Sequence, residues 1–339
     1  MASAPGTGGT IGIVANPVSG KDIRRLVANA PSSTLAEKYT IVRRLVIGAT
    51  AAGADRFWFL DEPHRICAKA VETLDLDGAG FGHVPVELRF DESDTVRTVA
   101  AMRELGCAVV VVLGGDGTSR AATLGWRDVP LIPLSTGTNN AFPRFVEATV
   151  AGEAAGLVAA GHVGLDEVAT TAKVVEVHVE GDERPDLALI DAVVLDERVV
   201  GSRALFDPAA LRLAVLSRSE PASVGVSSLG GLVLPCGADD DGGVVLRFGP
   251  AGRTPRTVRA PMAPGWYAEV GLAEVGRLAD GEEVTVTGPA MLAFDGERQR
   301  LLRDGQRATL AVRRNGPRVL DVGRALRLAA DRGVFVRDT

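Results

Sequence analysis

The sequence predicts a two-domain protein, a layered α/β domain followed by a mainly antiparallel β domain. Strand and helix signals alternate up to about residue 165, and short strands separated by turn residues follow. The length of 339 residues suits two domains, and an apolar content of 46% is ample for two cores. We expect the α/β domain over residues 1–165, the β domain over 166–318, and a C-terminal helix or tail over 319–339 that packs back on the first domain.

Apolar periodicity predicts the first elements of the α/β domain. Thr10–Ala15 is an apolar run typical of a buried strand. Thr34 followed by Glu37 fits a capping box, and apolar residues then recur at helical spacing. Arg56–Leu60 predicts a second strand, and Pro63 is suited to the first turn of the helix after it.

The α/β pattern continues to residue 134. Val84–Phe90 predicts a strand, and Ser93 is placed to cap the next helix. Cys107–Leu113 is a continuous apolar run of the kind that parallel sheets bury on both faces. Val129–Leu134 predicts another strand. Strands that alternate with helices at this spacing indicate βαβ units.

Strict alternation of apolar and polar residues marks the second half. Within Lys173–Glu180, one face of the strand receives Val175, Val177 and Val179, and the other receives Glu176, His178 and Glu180. Closely spaced strands of this kind indicate an antiparallel sheet or sandwich, and a helical pattern from Val322 to Ala329 follows. The further predicted strands are Leu187–Leu195, Leu211–Leu216, Gly243–Phe248, Tyr267–Val270, Glu283–Thr287, Met291–Phe294 and Arg307–Arg313.

Composition narrows the function classes. A formal net charge of −6 argues against a basic face for nucleic acid. The longest purely apolar stretch, Cys107–Leu113, is far shorter than a membrane span, and residues 1–10 lack the features of a signal peptide. Three widely separated cysteines suit reduced thiols in a core. We therefore expect a cytoplasmic protein that binds neither nucleic acid nor a membrane.

The strongest local signal for function is Gly114–Thr118 (GGDGT), which lies between a buried strand and a helical pattern. Glycines at such a junction let the backbone approach a ligand without a Cβ atom in the way. Amides at the start of a helix bind phosphate, and Asp116 falls at the strand end where open α/β sheets place their sites. An ordinary tight turn with a capping aspartate is the alternative interpretation.

Two further polar turns follow predicted strands. Ser135–Asn140 (STGTNN) carries small hydroxyl and amide side chains suited to a nucleotide's phosphate or ribose. Helix capping by Thr138 or Asn139 also explains this sequence. Asn16–Gly20 (NPVSG) follows the first strand. Because the strands of one parallel sheet end at the same edge, we expect the three glycine turns to converge.

These motifs resemble those of one known superfamily. Gly114–Thr118 is similar to the GGDGT signature of the ATP-NAD kinase and diacylglycerol kinase superfamily, and Pro133–Phe142 and Asn16–Gly20 resemble its second motif and its opening turn. Ser223–Gly231 resembles a degenerate NAD kinase stretch, and Phe294–Glu297 resembles the late Asp-Gly-Glu turn. The motifs occur in the same order over most of the chain, which most resembles the acetoin-catabolism protein X branch.

The resemblance implies an NAD kinase-like fold, with an N-terminal three-layer α/β domain and a C-terminal mainly antiparallel β domain. It also implies a kinase that uses ATP and Mg²⁺, with Asp116 as the catalytic base. The residues expected to bind the nucleotide are Asn16, Gly20, Gly114, Gly115, Gly117, Thr118, Thr136, Gly137, Thr138 and Asn140. Those expected to bind the acceptor are Asp191, Ser227, Ser228 and Gly230, and no metal-ligating side chain is expected.

These residues are compatible with three different functions. The first is an ATP-dependent kinase that phosphorylates a hydroxyl of NAD or a related small molecule, linked to acetoin catabolism. Ile190 stands where NAD kinases carry an asparagine, and Gly225 replaces their tyrosine. A lipid- or diol-directed kinase is the second, although Ala141 replaces the aspartate of its motif. The third is an accessory or sensor protein that binds ATP or NAD without chemistry. The β-sheet edges and the resemblance also predict a homo-oligomer.

Overall fold

This computed structural model describes residues 9–17, 34–76, 78–136, 140–196 and 207–336. These residues form two domains. The first is built on a seven-stranded sheet with helices on both faces. Its strands are β1 (Gly9–Ala15), β2 (Ala54–Phe59), β3 (Gly80–His83), β4 (Val109–Gly114), β5 (Pro130–Ser135), β6 (Ala169–Thr171) and β18 (Arg318–Leu320). Its helices are α1 (Leu35–Ala51), α2 (Ile66–Val71), α3 (Glu92–Glu104), α4 (Asp116–Gly125), α5 (Ala148–Ala159), α6 (Leu165–Val168) and α8 (Val322–Asp331).

The strand order of the first sheet is β3-β2-β1-β4-β5-β18-β6, and every neighbouring pair is parallel except β18 with β6. In β4, Val109, Val111 and Leu113 pack in the core on one face, and Val110 and Val112 pack in the core on the other. This double burial explains why the strand is continuously apolar. The predicted three-layer α/β domain is confirmed.

The second domain is a sandwich of two antiparallel sheets. The larger has the order β12-β13-β11-β10-β9-β15-β16 and the smaller the order β14-β17-β7-β8, and their inner faces share one apolar core. The predicted mainly antiparallel β domain is therefore confirmed. Its elements are β7 (Val174–Val179), β8 (Asp186–Ala188), β9 (Asp191–Leu195), β10 (Leu211–Leu216), α7 (Val226–Gly231), β11 (Gly243–Gly249), β12 (Arg256–Ala263), β13 (Trp266–Leu278), β14 (Glu283–Thr287), β15 (Ala290–Phe294), β16 (Glu297–Leu302) and β17 (Arg307–Arg313).

The chain returns to the first domain at its end. Strand β18 pairs with β5, and helix α8 buries Ala325 and Ala329 in the core that contains α1 and α5. Asp321 caps α8, since its side chain accepts a hydrogen bond from the amide of Arg324. The two ends of the described chain thus belong to the same domain.

Three local predictions in the first domain are wrong. Pro63 lies in a turn before α2 and not in its first turn, because that helix begins at Ile66. Ser93 lies inside α3, because Asp91 caps that helix and accepts the amide of Ser93 at 2.8 Å. The predicted strand over Val84–Phe90 is instead a short strand at Gly80–His83. Strand β2 ends at Phe59, opposite His83, and the amide of Val84 makes the last backbone hydrogen bond to it at 2.9 Å, so the pairing stops there.

Helices α1 and α5 cross at backbone-to-backbone distance because glycines line their contact. A Cβ atom on Gly152 would lie 2.0 Å from the carbonyl oxygen of Leu45, and one on Gly48 would lie 2.1 Å from that of Thr149. Neither neighbour is a flexible side-chain end, so the helices would have to separate to admit a methyl group.

A Gly152→Ala variant is expected to lower the free energy of unfolding by about 1–3 kcal/mol, the usual cost of overpacking a core. Gly323→Ala is the matched control, since its Cβ would meet only an Asp321 oxygen at 3.5 Å in the first turn of α8. Better helix propensity should leave that control unchanged or stabilise it by up to about 1 kcal/mol. Chemical denaturation measures both, and equal stabilities of the two variants would contradict the packing argument.

The three cysteines, Cys67, Cys107 and Cys236, are buried and form no disulfide, as predicted. Burial raises the pKa of Cys107 to about 12, so its thiol is not ionised near neutral pH. No helix within the described ranges is long and apolar enough to cross a membrane.

Candidate functional site

The ends of three parallel strands lie side by side at one edge of the first sheet. Ala15 in β1 pairs with Leu113 in β4, and Gly114 in β4 pairs with Ser135 in β5. The turns that follow these strands therefore start next to one another, as the sequence predicts. The turns begin at Asn16, Gly115 and Thr136.

A buried lysine holds the first of these turns. Lys38 on α1 is fully buried, and its Nζ donates to the carbonyl oxygens of Asn16 at 2.8 Å and Pro17 at 3.0 Å. The Asn16 side chain donates in turn to Thr118 Oγ1 at 2.8 Å, which ties this turn to α4. Gly20 lies outside the described residues.

The glycines of the GGDGT turn are surrounded closely by protein atoms. A Cβ on Gly114 would lie 2.6 Å from the Thr118 side chain, and one on Gly117 would lie 2.9 Å from Glu297 Oε1. A Cβ on Gly115 would lie 3.0 Å from Asn140 Oδ1. The glycines thus let the second turn and the β domain approach the GGDGT backbone.

Asp116 is the first residue of α4, and its carboxylate joins the GGDGT turn to the residues that follow the Ser135–Asn140 turn. Its Oδ1 accepts the amide of Phe142 at 2.8 Å, and the amide of Ala141 lies 3.1 Å from Oδ2. Asn140 lies beside these amides and donates from Nδ2 to Ser135 Oγ at 2.9 Å. Asp116 is partly exposed, so it is accessible while being held by the turn. Gly137 and Thr138 of the second turn lie outside the described residues.

The β domain contributes a buried aspartate, Asp295, close enough to Asp116 to be repelled by its charge. Asp295, directly after β15, has a left-handed backbone with φ of 50° and is 6% exposed. Its carboxylate accepts the amides of Leu189 at 2.8 Å, Ile190 at 2.7 Å and Asp191 at 3.3 Å. Burial, with repulsion from Asp191 and Asp116, raises the pKa of Asp295 well above its usual range.

The raised pKa of Asp295 makes its contribution to stability pH-dependent. Because the folded state holds the proton more tightly than the unfolded chain, this contribution is full below the ordinary pKa of 3.8 and is lost as the pH rises through the raised pKa. The stability advantage of the wild type over Asp295→Asn should therefore shrink as the pH rises above 3.8. Denaturation at a series of pH values tests this, with the exposed Asp304→Asn as control. An advantage that grows with pH would contradict the assignment.

The residues expected to bind the acceptor are in different environments. Asp191, partly exposed at the start of β9, lies next to the buried Asp295. Ser227 and Ser228 on α7 are buried, and Ser227 donates to the carbonyl of Arg218 at 3.1 Å. Gly230 packs against β10, where a Cβ would lie 2.4 Å from a Leu216 methyl group. Asp191 is thus the accessible member of the set.

Ile190 lies at the position where the resemblance leads us to expect an asparagine. Its side chain is 2% exposed and packs in an apolar cluster with Leu189 and Phe142, so it points away from solvent. Its backbone, by contrast, contributes to the site, because its amide donates to Asp295.

Arg120 ties the two domains together beneath the site. It is 2% exposed on α4, and its guanidinium donates to the carbonyl of Leu187 at 2.7 Å and pairs with Asp186 at 2.6 Å in the β domain. It also pairs with Glu92 at 2.7 Å and lies 5.3 Å from the ring centroid of Phe294. The residue before Asp295 therefore packs on this arginine.

Sequence reasoning missed four residues here, namely Lys38, Arg120, Arg218 and Asp295. Lys38 had a signal, because it shares helical spacing with the buried Val42 and Leu45 and so lies on the buried face of α1. Asp295 lies in a turn that the resemblance identified without assigning it a role. The two arginines had no local signal.

Comparisons with known proteins agree with this architecture. Residues 11–163 match the family described as ATP-NAD kinase N-terminal domain, and residues 173–315 match the acetoin catabolism protein X C-terminal domain. Over 331 residues the chain is 34% identical to acetoin catabolism protein X of Cupriavidus necator, with 94% of this chain and 92% of that protein covered.

One solved structure shows the same fold. The crystal structure of yeast NADH kinase complexed with NADH superposes with a TM-score of 0.53 at 12% identity, covering 98% of this chain and 89% of that one. A putative diacylglycerol kinase from Bacillus anthracis str. Sterne gives a TM-score of 0.41 at 13% identity, covering 91% and 97%. The second similarity is too low to support an inference. The first shows that the chain has the NAD kinase-like fold.

Proposed function

The chain belongs to the acetoin catabolism protein X family, and from this premise we propose that it is an ATP-dependent kinase of the NAD kinase and diacylglycerol kinase superfamily. The observation that carries the proposal is the position of Asp116. It stands where two glycine turns meet, faces the acidic residues of the β domain and is accessible.

The proposed donor is ATP, bound at the strand ends by the residues of the three turns. Mg²⁺ takes oxygen ligands, commonly one or two carboxylates together with substrate phosphates. The described residues include no cluster of three or more side chains able to cage a metal ion, which suits an ion held largely by phosphates. Glu297, whose Oε1 lies against Gly117, is the carboxylate that would complete such a site. When bound, the ion neutralises phosphate charge.

Asp116 is the proposed base for the acceptor hydroxyl. The amides of Ala141 and Phe142 both donate to its carboxylate. The same amides fix the orientation of the carboxylate, and positioning supplies most of the catalysis in phosphoryl transfer. Asp116 would orient the hydroxyl and receive its proton as the hydroxyl oxygen bonds to the γ-phosphorus of ATP. The bond from that phosphorus to the β–γ bridging oxygen breaks, and ADP leaves.

The proposed acceptor is a hydroxyl of NAD or a related small molecule, bound on the β-domain side by Asp191. The buried Ile190 side chain supports an acceptor contact that differs from that of NAD kinases. The name of the Cupriavidus necator relative supports a role in acetoin catabolism. We also propose that the protein acts in the cytoplasm as a homo-oligomer, for which the edge strands β12 and β16 of the larger β-domain sheet offer pairing surfaces.

Incubation of the purified chain with Mg-ATP and a panel of NAD, NADH, polyols and short diols tests the proposal. The expected result is ADP release that depends on one acceptor, with a phosphorylated product detected by mass spectrometry. A chain that binds ATP in calorimetry and transfers phosphate to none of the panel would instead indicate an accessory or sensor protein. Release of ADP only with diacylglycerol would indicate the lipid-directed kinase.

A further inference from the structure

Arg218 lies at the junction of the domains, in the loop that follows β10. It is only 7% exposed, and the central carbon of its guanidinium lies 4.9 Å from the ring centroid of Phe142. The amide of Phe142 is the one that Asp116 Oδ1 accepts at 2.8 Å. The arginine therefore stacks on the turn that positions the proposed base.

The guanidinium of Arg218 has donors without acceptors. Arginine carries five N–H groups, and this one makes no ion pair or side-chain hydrogen bond with any residue of the described ranges. Its Nε is buried and unpaired. Burial lowers the pKa of Arg218. Repulsion from Arg144 lowers it further, and attraction to Glu220, Asp116 and Asp239 acts in the opposite direction. A buried cation in this state is costly unless an anion joins it.

The other buried arginine of the site shows that this arrangement is unusual for the molecule. Arg120 is 2% exposed and satisfies its guanidinium with Glu92, Asp186 and the carbonyl of Leu187. Both arginines lie between the domains and both stack on a phenylalanine ring. Only Arg120 is paired within the described chain, so packing between the domains does not require an unpaired arginine.

We propose that Arg218 binds phosphate oxygens of a substrate at the domain junction. Its planar fork suits two oxygens of one phosphate group, and Phe142 holds the fork in plane while the exposed Arg144 adds positive charge nearby. The phosphate belongs to the donor's chain or to an acceptor that itself carries phosphate. The inference rests on the proposed function for the identity of the ligand, but anion binding can be measured without turnover.

Calorimetry with tripolyphosphate, ATP and NAD tests this on the wild type, Arg218→Met, Arg218→Lys and Arg253→Gln. Arg253→Gln is the control, because it removes one positive charge at an exposed position elsewhere. It should leave every affinity unchanged. Arg218→Met should weaken binding by about ten- to hundredfold, as expected for lost hydrogen bonds to a charged group, and Arg218→Lys by less. Weakening confined to ATP and tripolyphosphate would assign the donor, and weakening confined to NAD the acceptor. Unchanged affinities in Arg218→Met, or a wild type that binds none of the three, would overturn the inference.

Thermal melting without ligand separates binding from packing. Because methionine replaces an unpaired buried charge with an apolar chain of similar volume, Arg218→Met should melt at or above the wild-type temperature. A lower melting temperature with unchanged affinities would identify a packing residue and overturn the inference. If Arg218-dependent binding occurs without phosphoryl transfer, the proposed function fails and this inference stands. If the wild type transfers phosphate and Arg218→Met leaves kcat and KM unchanged, the proposed function stands and this inference fails.

Discussion

An Asp116→Asn variant is expected to lose about two to four orders of magnitude in kcat while it keeps its fold, the range attributed to a positioned general base. A carboxamide cannot take the proton of an acceptor hydroxyl. It also offers one acceptor oxygen where the carboxylate offers two, so the amides of Ala141 and Phe142 would compete for that oxygen. Both effects lower the rate of the chemical step.

The measurement is ADP release with Mg-ATP and the acceptor identified from the panel. Asp304→Asn makes the same chemical change in an exposed turn and should retain wild-type kcat. Thermal melting and ATP calorimetry show whether the Asp116 variant is folded and still binds the donor. A kcat within tenfold of the wild type would contradict the role of Asp116 as base.

An Arg120→Ala variant is expected to lower the free energy of unfolding by about 3 kcal/mol, near the low end for breaking a buried ion pair. The low end applies because Glu92 and Asp186 are 39% and 30% exposed, so water would solvate them once the arginine is gone. The hydrogen bond to Leu187 and the contact with Phe294 are lost as well. Since Asp186, Leu187 and Phe294 lie in the β domain and Arg120 lies in the first domain, the loss of these contacts weakens the junction of the domains.

Chemical denaturation of the wild type and the Arg120 variant measures this effect, and Arg303→Ala is a control at an exposed position. We also expect a lower kcat, because the Phe294 ring that packs on Arg120 precedes the buried Asp295. Arg120→Lys should recover part of the stability, since it keeps one charge but not the fork. A variant as stable as the Arg303 control would contradict the role of Arg120 in joining the domains.

The sequence predicted elements whose cause is local. The run Cys107–Leu113 indicated a strand buried on both faces, and the Thr34–Glu37 capping box forms as expected, with hydrogen bonds in both directions. Where two local signals competed, the prediction failed. Asp91 and Ser93 are both good caps, and only the extended backbone at Asp91 decides between them.

By itself the sequence determined the two-domain fold, the three turns at the strand ends and Asp116 among them, because periodicity, turn residues and motif order are properties of neighbouring positions. Only the tertiary structure decided which buried charges are paired. Arg120 reaches a partner 66 residues away, and Asp295 accepts an amide 106 residues away. Arg218 is the same residue type as Arg120, buried at the same junction, but its Nε has no hydrogen-bond partner in the described chain. Burial and pairing depend on which distant segments meet, and no local pattern records that.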